Sequence, residues 1–325
     1  MYRYVAYDFA VESEIELPEL VPAPATTTFR EPALRVRLGG VPARMEAPDV
    51  SRVTWDARPD AWLHEIVGVA RFYVHDGGRE VRIEPTGGTL ADVRALLFAS
   101  PLGAILHQRG RFALHAGALA MPAGAVAVAG HSGAGKSTTL AELIRRGHPV
   151  LSDDKTVVRF GDGGPEVIPG YPTLRLWRDA AERMGEDVAA LPVLRAGLEK
   201  YLYRADRFET APTPLRLIVM LSVHHEAGPG EGDDGLRTEW YGPHDAIGAV
   251  LHQTYRRGIV DGSGKKAEHF GWAARLAGAV PVVRVVRHGR RDSVTAVADR
   301  VEALLAEAVG EAAAAPSAAA GVAPA

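Results

Sequence analysis

A glycine-rich segment at residues 130–137 carries the residue types needed to hold phosphate groups. It fits the phosphate-loop pattern G-x-x-x-x-G-K-[ST] at every fixed position, with the residues Gly130, His131, Ser132, Gly133, Ala134, Gly135, Lys136 and Ser137. Glycines let backbone N–H groups point at phosphate oxygens, and the lysine would reach the β- and γ-phosphates. The hydroxyl of Ser137 is the expected Mg²⁺ ligand. We therefore predict that this loop, continued by Thr138, binds ATP with Mg²⁺.

The residues around the loop are those that such a loop requires. Residues 124–129 form a short apolar run typical of a buried parallel strand. Residues 137–147 predict a helix with Leu140, Leu143 and Ile144 on one face. The N-terminus of that helix would add partial positive charge at the phosphates. A glycine-rich turn that binds nothing is the alternative, and the strand–loop–helix order favours the phosphate loop.

Two adjacent carboxylates, Asp153 and Asp154, follow a short apolar strand predicted at residues 148–152. The spacing after Lys136 leaves room for one helix and one strand, which would return the carboxylates to the strand ends beside the phosphates. One of them can hold Mg²⁺, while the other accepts the proton of an attacking hydroxyl. Such a pair is otherwise common in turns and helix caps. Its position behind a phosphate loop favours a catalytic pair.

Three segments together resemble the HPr kinase/phosphorylase family: Leu114-His115-Ala116-Gly117-Ala118, the glycine loop, and Leu151-Ser152-Asp153-Asp154. The resemblance is clear over residues 101–160 and looser as far as about residue 305. It is closest to a branch found beside bacterial peptide-modifying genes, including those for lasso peptides. The lead-in Arg109-Gly110 and the segment 169–177 (PGYPTLRLW) are similar to that branch.

The resemblance implies an α/β fold: a P-loop kinase domain of HPr-kinase/PEP-carboxykinase-like type with a small N-terminal β-rich domain. It implies His115 near the γ-phosphate, Asp153 as the general base, and Asp154 with Ser137 as Mg²⁺ ligands. In that branch the acceptor is typically the C-terminal serine of a precursor peptide. A lone histidine on an apolar strand is otherwise most often a core residue. If catalytic, its imidazole could orient Asp153 or donate to a phosphate oxygen.

One region departs from the family. The family carries an Arg-Gly-Ile-Gly-type stretch about fifty residues beyond its loop, linked to phosphorolysis and HPr docking, and residues 189–200 (AALPVLRAGLEK) do not match it. The sequence therefore does not predict phosphorolysis, or HPr as the substrate.

Further positive charge for the phosphates should come from the second half of the chain. Six basic residues are candidates: Lys200, Arg204, Arg256, Arg257, Lys265 and Lys266. Arg256 follows the helix predicted at residues 244–255, in a segment (HQTYRR) that again resembles the peptide-modifying branch. A cation there could stabilise the transferring phosphoryl group as an arginine finger does. Arg256 and Lys200 are the strongest candidates, and the others read as solvated surface charges.

Composition excludes several classes of protein. The 325 residues carry a net charge of −3, so no broad positive surface for nucleic acid is expected. The absence of cysteine excludes disulfides, thiolate zinc sites and a catalytic thiol. No apolar stretch reaches membrane-spanning length, and the N-terminus lacks signal-peptide features. We expect a cytoplasmic protein with no nucleic-acid or membrane partner, and the sequence leaves a homo-oligomer open.

The chain divides into three predicted parts. Residues 1–100 form a β-rich domain with strands at 2–9, 33–38, 66–74 and 80–83, a hairpin turn at 76–78, and a helix at 90–99 capped by Thr89. That domain either braces the kinase or recognises the acceptor. Residues 101–308 form the P-loop domain, with buried strands at 215–223 and 281–286 and helices at 179–184, 244–255, 266–277 and 293–309. Residues 309–325 are an Ala/Pro-rich tail that we expect to be disordered.

Residues 227–235 form a glycine- and acid-rich loop that we expect to be exposed. His224, His225 and Glu226 precede it, but neighbours on a strand point to opposite faces, which argues against a metal site there.

These patterns favour an ATP-dependent kinase, a phosphotransferase acting on a serine hydroxyl of a peptide or protein. A transport ATPase subunit is a weaker alternative, because the chain lacks an LSGGQ-type helix and its acidic pair comes too early. A small-molecule kinase would share every nucleotide-binding residue. A nucleotide-regulated binding module without efficient transfer is the third alternative, although pure binding would not require the second carboxylate.

Overall fold

The computed structural model describes residues 1–314 except 25–26, 30, 196–197, 225–233 and 290–291. The described residues form two nine-stranded sheets, a three-stranded sheet and eight helices. The structure is therefore of mixed α/β class.

The first sheet is formed by strands from residues 2–85. Its strands are β1 (Tyr2–Ala6), β2 (Phe9–Ser13), β3 (Val21–Pro22), β4 (Leu34–Leu38), β5 (Val50–Ser51), β6 (Trp55–Arg58), β7 (Ala61–Ile66), β8 (Ala70–His75) and β9 (Glu80–Pro85), in the order β3-β1-β2-β4-β9-β8-β7-β6-β5. Alternate residues of β8 are buried, as expected for a sheet with one covered face. The covering helices are α1 (Leu90–Leu97) and α2 (Ser100–Gln108), which share its core.

Two segments that were each predicted as a single strand are interrupted by a turn. The strand expected over residues 2–9 reverses at Tyr7 and Asp8, whose φ angles are 50° and 66°, and Ala6 pairs with Phe9 across the turn. Two-residue hairpin turns of this kind usually carry Asn-Gly or Asp-Gly, so the sequence gives little turn signal here. The strand expected over 66–74 likewise breaks at Val67 and Gly68.

Other predictions in this part are confirmed. The turn at 76–78 joins β8 to β9, with all three residues at positive φ. Thr89 caps α1 through a reciprocal capping box with Asp92, although the helix ends at Leu97 rather than residue 99.

The second sheet carries the glycine loop. It contains β10 (Phe112–Leu114), β11 (Ala116–Met121), β12 (Gly124–Gly130), β13 (Val150–Ser152), β14 (Thr156–Gly161), β15 (Gly164–Ile168), β19 (Thr213–His224), β20 (Leu236–Trp240) and β21 (Val282–His288). A separate small sheet has the order β16 (Thr173–Trp177), β18 (Leu198–Arg204), β17 (Val193–Arg195). The remaining helices are α3 (Lys136–Arg145), α4 (Arg178–Arg183), α5 (Pro243–His252), α6 (Arg257–Gly262), α7 (Lys266–Ala279) and α8 (Val294–Ala314).

The strands β12, β19 and β21 run parallel and form the centre of this sheet. Val126 and Val128 of β12 pack in one core with residues of α3 and α8, while Ala125, Ala127 and Ala129 pack in another with α5 and α7. Helices therefore cover both faces of the sheet, as its unbroken apolar strands require. All three predicted buried strands, at residues 124–129, 215–223 and 281–286, are confirmed.

Helix boundaries differ from prediction near the C-terminus. The helix expected over residues 244–255 ends at His252, and the helix expected to end at residue 309 continues to Ala314. The predicted tail therefore starts as helix, and its residues 315–325 lie outside the described residues. In the described part of the chain no single helix is long and apolar enough to span a membrane, and only the bent pair of α1 and α2 reaches that length and composition together.

Candidate active site

The glycine loop joins the end of β12 to α3, and its three fixed glycines all have positive φ. The angles are 142° at Gly130, 81° at Gly133 and 102° at Gly135. A Cβ atom on Gly130 would lie 2.3 Å from the carbonyl oxygen of Leu221 on the neighbouring strand. Residues with side chains would be strained at these positions, so the loop path itself requires the glycines of the motif.

Two basic side chains donate hydrogen bonds to carbonyl groups of the loop. Lys136 Nζ donates to Gly130 O at 2.6 Å. Arg287 of β21 donates from Nε to Ala134 O at 2.9 Å and from Nη2 to Gly133 O at 3.1 Å. Sequence reasoning had not singled out Arg287, since nothing in the motif specifies a partner from a distant strand. Its guanidinium group therefore ties the loop to β21 through two carbonyl groups.

A cavity of about 680 Å³ opens beside the loop. Eight of the predicted residues line it: His115, Ser132, Lys136, Ser137, Asp153, Asp154, Lys200 and Arg256. Thr138 instead lines a smaller cavity elsewhere, together with Gly135. The fold therefore brings the loop lysine and serine, the histidine and both carboxylates to one space.

The two aspartates have different partners. Asp153 Oδ2 accepts the backbone N–H of Arg175 at 2.9 Å. Asp154, at a φ of 61°, lies between two positive or potentially positive groups: Oδ1 is 3.1 Å from His115 Nδ1, and Oδ2 is 3.2 Å from Lys155 Nζ. The sharp backbone turn at Asp154 points the two carboxylates to these separate partners.

These different surroundings shift the pKa values of the two aspartates in opposite directions. Burial raises the pKa of Asp153, and the neighbouring Asp154 charge raises it further. Burial would also raise the pKa of Asp154, but Lys155 and His115 hold it well below its ordinary value. Asp154 is thus the member of the pair with the lower pKa, suited to a cation, and Asp153, with the higher pKa, is the better proton acceptor.

His115 lies between β10 and β11, and its backbone N–H donates to Gln253 O at 2.6 Å. Its ring pairs with Asp154 and not with Asp153, so the interpretation that it could orient Asp153 is wrong. Because Nδ1 is used for Asp154, Nε2 is the nitrogen left for a phosphate oxygen. The half-exposed ring in the cavity argues against a core histidine.

Gly117, two residues after this histidine, permits close packing of the loop helix. A Cβ atom at Gly117 would lie 2.2 Å from Leu140 Cδ1. The glycine of the His-Ala-Gly segment therefore sets the distance between β11 and α3, and with it the position of the helix that begins at Lys136.

Three further residues belong to the site and were missed from the sequence. Lys155 is completely buried, with Nζ 4.8 Å from the centre of the Tyr255 ring. Arg175 lines the main cavity, and its Nη2 donates to Ala95 O at 3.1 Å. Tyr7, from the first hairpin, donates its hydroxyl to Lys155 O at 3.2 Å. The position of Lys155 directly after the aspartates was an available signal. Tyr7 lies 148 residues away and had none.

The candidate basic residues fall into two groups by position. Arg256, at a φ of 49° before α6, and Lys200, with Nζ 4.6 Å from the centre of the Trp177 ring, line the main cavity. The other four candidates do not line it. Arg204 donates a hydrogen bond to Pro18 O, Lys265 donates one to Gln108 O, and Lys266 forms an ion pair with Asp261.

The residues present fit a magnesium ion that shares its ligands with phosphate. Among the described residues no group of three or more His, Asp or Glu side chains could hold a metal ion alone. Mg²⁺ commonly takes one or two protein oxygens and completes its octahedron with water and substrate phosphates. Asp154 and Ser137, which line the same cavity, provide that kind of donor set. Of the three residues considered for another metal site, His225 and Glu226 lie outside the described residues.

The chain shows only weak similarity to known proteins in these comparisons. No family model matches the chain, and no curated protein matches it. Among solved structures, the chain is similar to the Hpr(Ser) kinase/phosphatase from Coxiella burnetii, with a TM-score of 0.33 and 12% identity over 62% of this chain and 95% of that chain. A likeness this weak transfers neither a site nor an activity to this chain.

Proposed function

We propose that the protein is an ATP-dependent kinase that transfers the γ-phosphate to a serine hydroxyl of a peptide or protein, such as a precursor peptide in natural-product biosynthesis. The observation that carries this proposal is the shared cavity of Lys136, Ser137, Asp153 and Asp154. A phosphate loop, a metal-binding carboxylate and a proton-accepting carboxylate are the parts that phosphoryl transfer needs.

Residues 130–137 and Thr138 would hold the triphosphate, and Asp154 with Ser137 would hold Mg²⁺. Bound Mg²⁺ neutralises charge on the phosphate oxygens. Three features support this: the positive φ angles of the loop glycines, the lowered pKa of Asp154 between Lys155 and His115, and the cavity shared by Ser137 and Asp154. Lys136 is released from Gly130 O when it contacts the phosphates instead.

The transfer follows from these positions. The acceptor serine oxygen attacks the γ-phosphorus, and its proton passes to the carboxylate of Asp153. The bond between the γ-phosphorus and the β–γ bridging oxygen breaks, and ADP leaves with that oxygen. Lys136, Arg256 and Lys200 supply positive charge around the transferring group, so that catalysis comes from positioning and charge neutralisation.

A polypeptide acceptor is supported by the outer wall of the cavity. Ala99, Trp177 and Leu194 line it, and Trp177 is 43% exposed. An exposed aromatic residue beside a polar reaction centre suits the apolar part of an extended chain. The resemblance of the His115, loop and aspartate segments to the peptide-modifying branch supports serine as the acceptor.

Two alternatives remain distinct. A small-molecule kinase would use the same nucleotide residues and a smaller acceptor. A nucleotide-regulated binding module would bind ATP without transfer, and the base-like environment of Asp153 speaks against it.

The acceptor class is tested with the full chain, Mg²⁺ and ATP, using serine-containing peptides and a panel of hydroxylated metabolites in parallel. We expect mass spectrometry to show phosphate on a peptide serine and none on the matched Ser→Ala peptide. Phosphorylation confined to the metabolites would replace the peptide acceptor by a small molecule. ATP binding without any phosphorylated product would favour the binding module.

A further inference from the structure

His107, in the last turn of α2, is a buried histidine that the proposed mechanism does not use. The residue is 0% exposed, and its Nε2 lies 2.7 Å from the carbonyl oxygen of Tyr255. Burial lowers its pKa to about 4, so the ring is neutral near neutral pH and carries one proton. A carbonyl oxygen only accepts hydrogen bonds, so that proton lies on Nε2, which donates to Tyr255 O.

The carbonyl group that His107 binds lies directly before Arg256. Tyr255 and Arg256 both line the main cavity. The carbonyl of Tyr255 and the N–H of Arg256 belong to one planar peptide group, so a hydrogen bond to that oxygen fixes the plane from which the Arg256 backbone continues. Arg256 has a φ of 49°, a left-handed conformation that is unfavourable for a residue with a Cβ atom. The surrounding fold must therefore hold this turn.

We infer that His107 is a positioning residue for the transfer: through Tyr255 O it holds the left-handed turn that directs Arg256 to the transferring phosphoryl group. The inference rests on the proposed kinase function and deepens it, because it concerns how Arg256 is held at the site. Arg256 contacts the phosphoryl group, and His107 acts only through Arg256.

The hydrogen bonds on either side of this peptide group place His107 at a junction. Before it, Tyr255 N–H donates to Ala113 O of β10 at 2.8 Å, so the chain is tied to the sheet as far as Tyr255. After it, Ile259 N–H donates to Arg256 O at 2.7 Å, at the start of α6. The bond from His107 fixes the peptide group between these two segments, where the chain changes direction.

The same face of α2 also packs against the Tyr255 ring. Gly103 lies four residues before His107, and residues four apart share a face of a helix. A Cβ atom on Gly103 would lie 2.8 Å from Tyr255 Cε1. α2 therefore contacts Tyr255 twice, closely at the ring through Gly103 and by a hydrogen bond at the carbonyl through His107. Both contacts hold the residue that precedes Arg256.

The test compares kcat of full-length variants at saturating ATP, Mg²⁺ and a serine peptide acceptor. His107→Leu removes the donor, and we expect kcat to fall roughly 10- to 100-fold because the cation is misplaced. His107→Gln puts an amide N–H near the position of Nε2 and should restore kcat to within about threefold of wild type. ATP affinity should stay within about twofold of wild type in both variants, because Arg256 acts on the transferring group.

A double-mutant cycle tests whether His107 acts through Arg256. Arg256→Met removes the charge, and adding His107→Leu should then lower kcat by less than about twofold further, since the group to be positioned is absent. If His107→Leu fails to fold, Gly103→Ala replaces it in the cycle, because its methyl group displaces the Tyr255 ring from α2.

Four results would overturn the positioning role and leave the kinase function in place. They are a wild-type kcat in the folded His107→Leu protein, a His107→Gln protein as slow as His107→Leu, an equal loss from His107→Leu with and without the Arg256 charge, and an equal loss from Gly103→Ala in both backgrounds. A wild-type chain that transfers no phosphate would instead overturn the proposed function, and the inference with it.

Discussion

The ammonium group of Lys155 lies 3.2 Å from Asp154 Oδ2, and the whole lysine side chain is buried. Burial alone would lower the pKa of Lys155, but Tyr171, Tyr255 and Asp154 raise it above its ordinary value. The lysine is therefore a fixed positive charge directly behind the carboxylate that we assign to Mg²⁺. It balances Asp154 whether or not a metal ion is bound.

We predict that Lys155 and Asp154 are energetically coupled. Lys155→Met, Asp154→Asn and the double variant form a double-mutant cycle measured by chemical denaturation. Contacting ion pairs couple by about 0.5–3 kcal/mol in the free energy of unfolding, and we expect a stabilising value in that range. Additive effects of the two substitutions would show that the contact contributes nothing to stability.

A second prediction concerns the hydrogen bond from Tyr7, in the first hairpin, to Lys155 beside the site. Tyr7→Phe removes the hydroxyl that donates to Lys155 O and should lower the free energy of unfolding by about 1 kcal/mol. The matched control is Tyr2→Phe, because Tyr2 is 45% exposed at the start of β1, the strand that leads into the turn at Tyr7. Equal stability of the two variants in a denaturant titration would remove the hydroxyl from this role.

Gly117 provides a third prediction. Gly117→Ala should destabilise the fold by about 1–3 kcal/mol, because the added methyl group meets Leu140 Cδ1. Adding Leu140→Ala frees the space and should restore part of the loss relative to Leu140→Ala alone. If Gly117→Ala melts at the wild-type temperature, β11 and α3 can separate without cost, and Gly117 does not set their spacing.

The fourth prediction separates the two aspartates. Asp153→Asn should keep ATP affinity and lose roughly 10²- to 10⁴-fold in transfer rate, the usual contribution of a positioned general base. Asp154→Asn should instead raise the Mg²⁺ concentration needed for half-maximal rate. Steady-state rates at saturating ATP and acceptor, measured over a Mg²⁺ series, distinguish the two. Wild-type rates for Asp153→Asn would remove Asp153 from its proposed role.

The fifth prediction concerns the loop lysine. Lys136→Ala should weaken ATP binding by roughly 10- to 100-fold, because it removes a charge-assisted contact to the phosphates. The protein should stay folded, since within the described ranges the side chain donates only to carbonyls of its own loop. Calorimetry with ATP and Mg²⁺, together with a melting curve, checks both statements. Undiminished ATP affinity would mean that the phosphates bind elsewhere.

Local patterns predicted the centre of the second sheet well. The apolar run before the loop and the periodic helix after it depend on neighbouring residues, and both form where expected. The hairpin at Tyr7 could not be predicted in this way. Its positive-φ turn is held by a hydrogen bond from Tyr7 N–H to Pro169 O, a partner that only the folded chain supplies.

The same distinction holds within the candidate site. The loop and the aspartate pair follow from types and spacing, and His115 follows from the family resemblance, whereas Arg175 and Arg287 act through contacts between distant segments. Burial of Lys155 depends on how β14, Tyr171 and Tyr255 pack around it. Those contacts also decide that His115 pairs with Asp154 rather than Asp153, which no spacing rule could have shown.

The central claim is transfer of the γ-phosphate by the cavity that holds Lys136 and Asp153. The most direct measurement uses ATP labelled on the γ-phosphate, with Mg²⁺, a serine peptide that serves as acceptor, and the wild-type, Lys136→Ala and Asp153→Asn proteins. We expect label on the peptide serine with wild type and little or none with either variant. Label found only in inorganic phosphate, or equal labelling of the peptide by all three proteins, would contradict it.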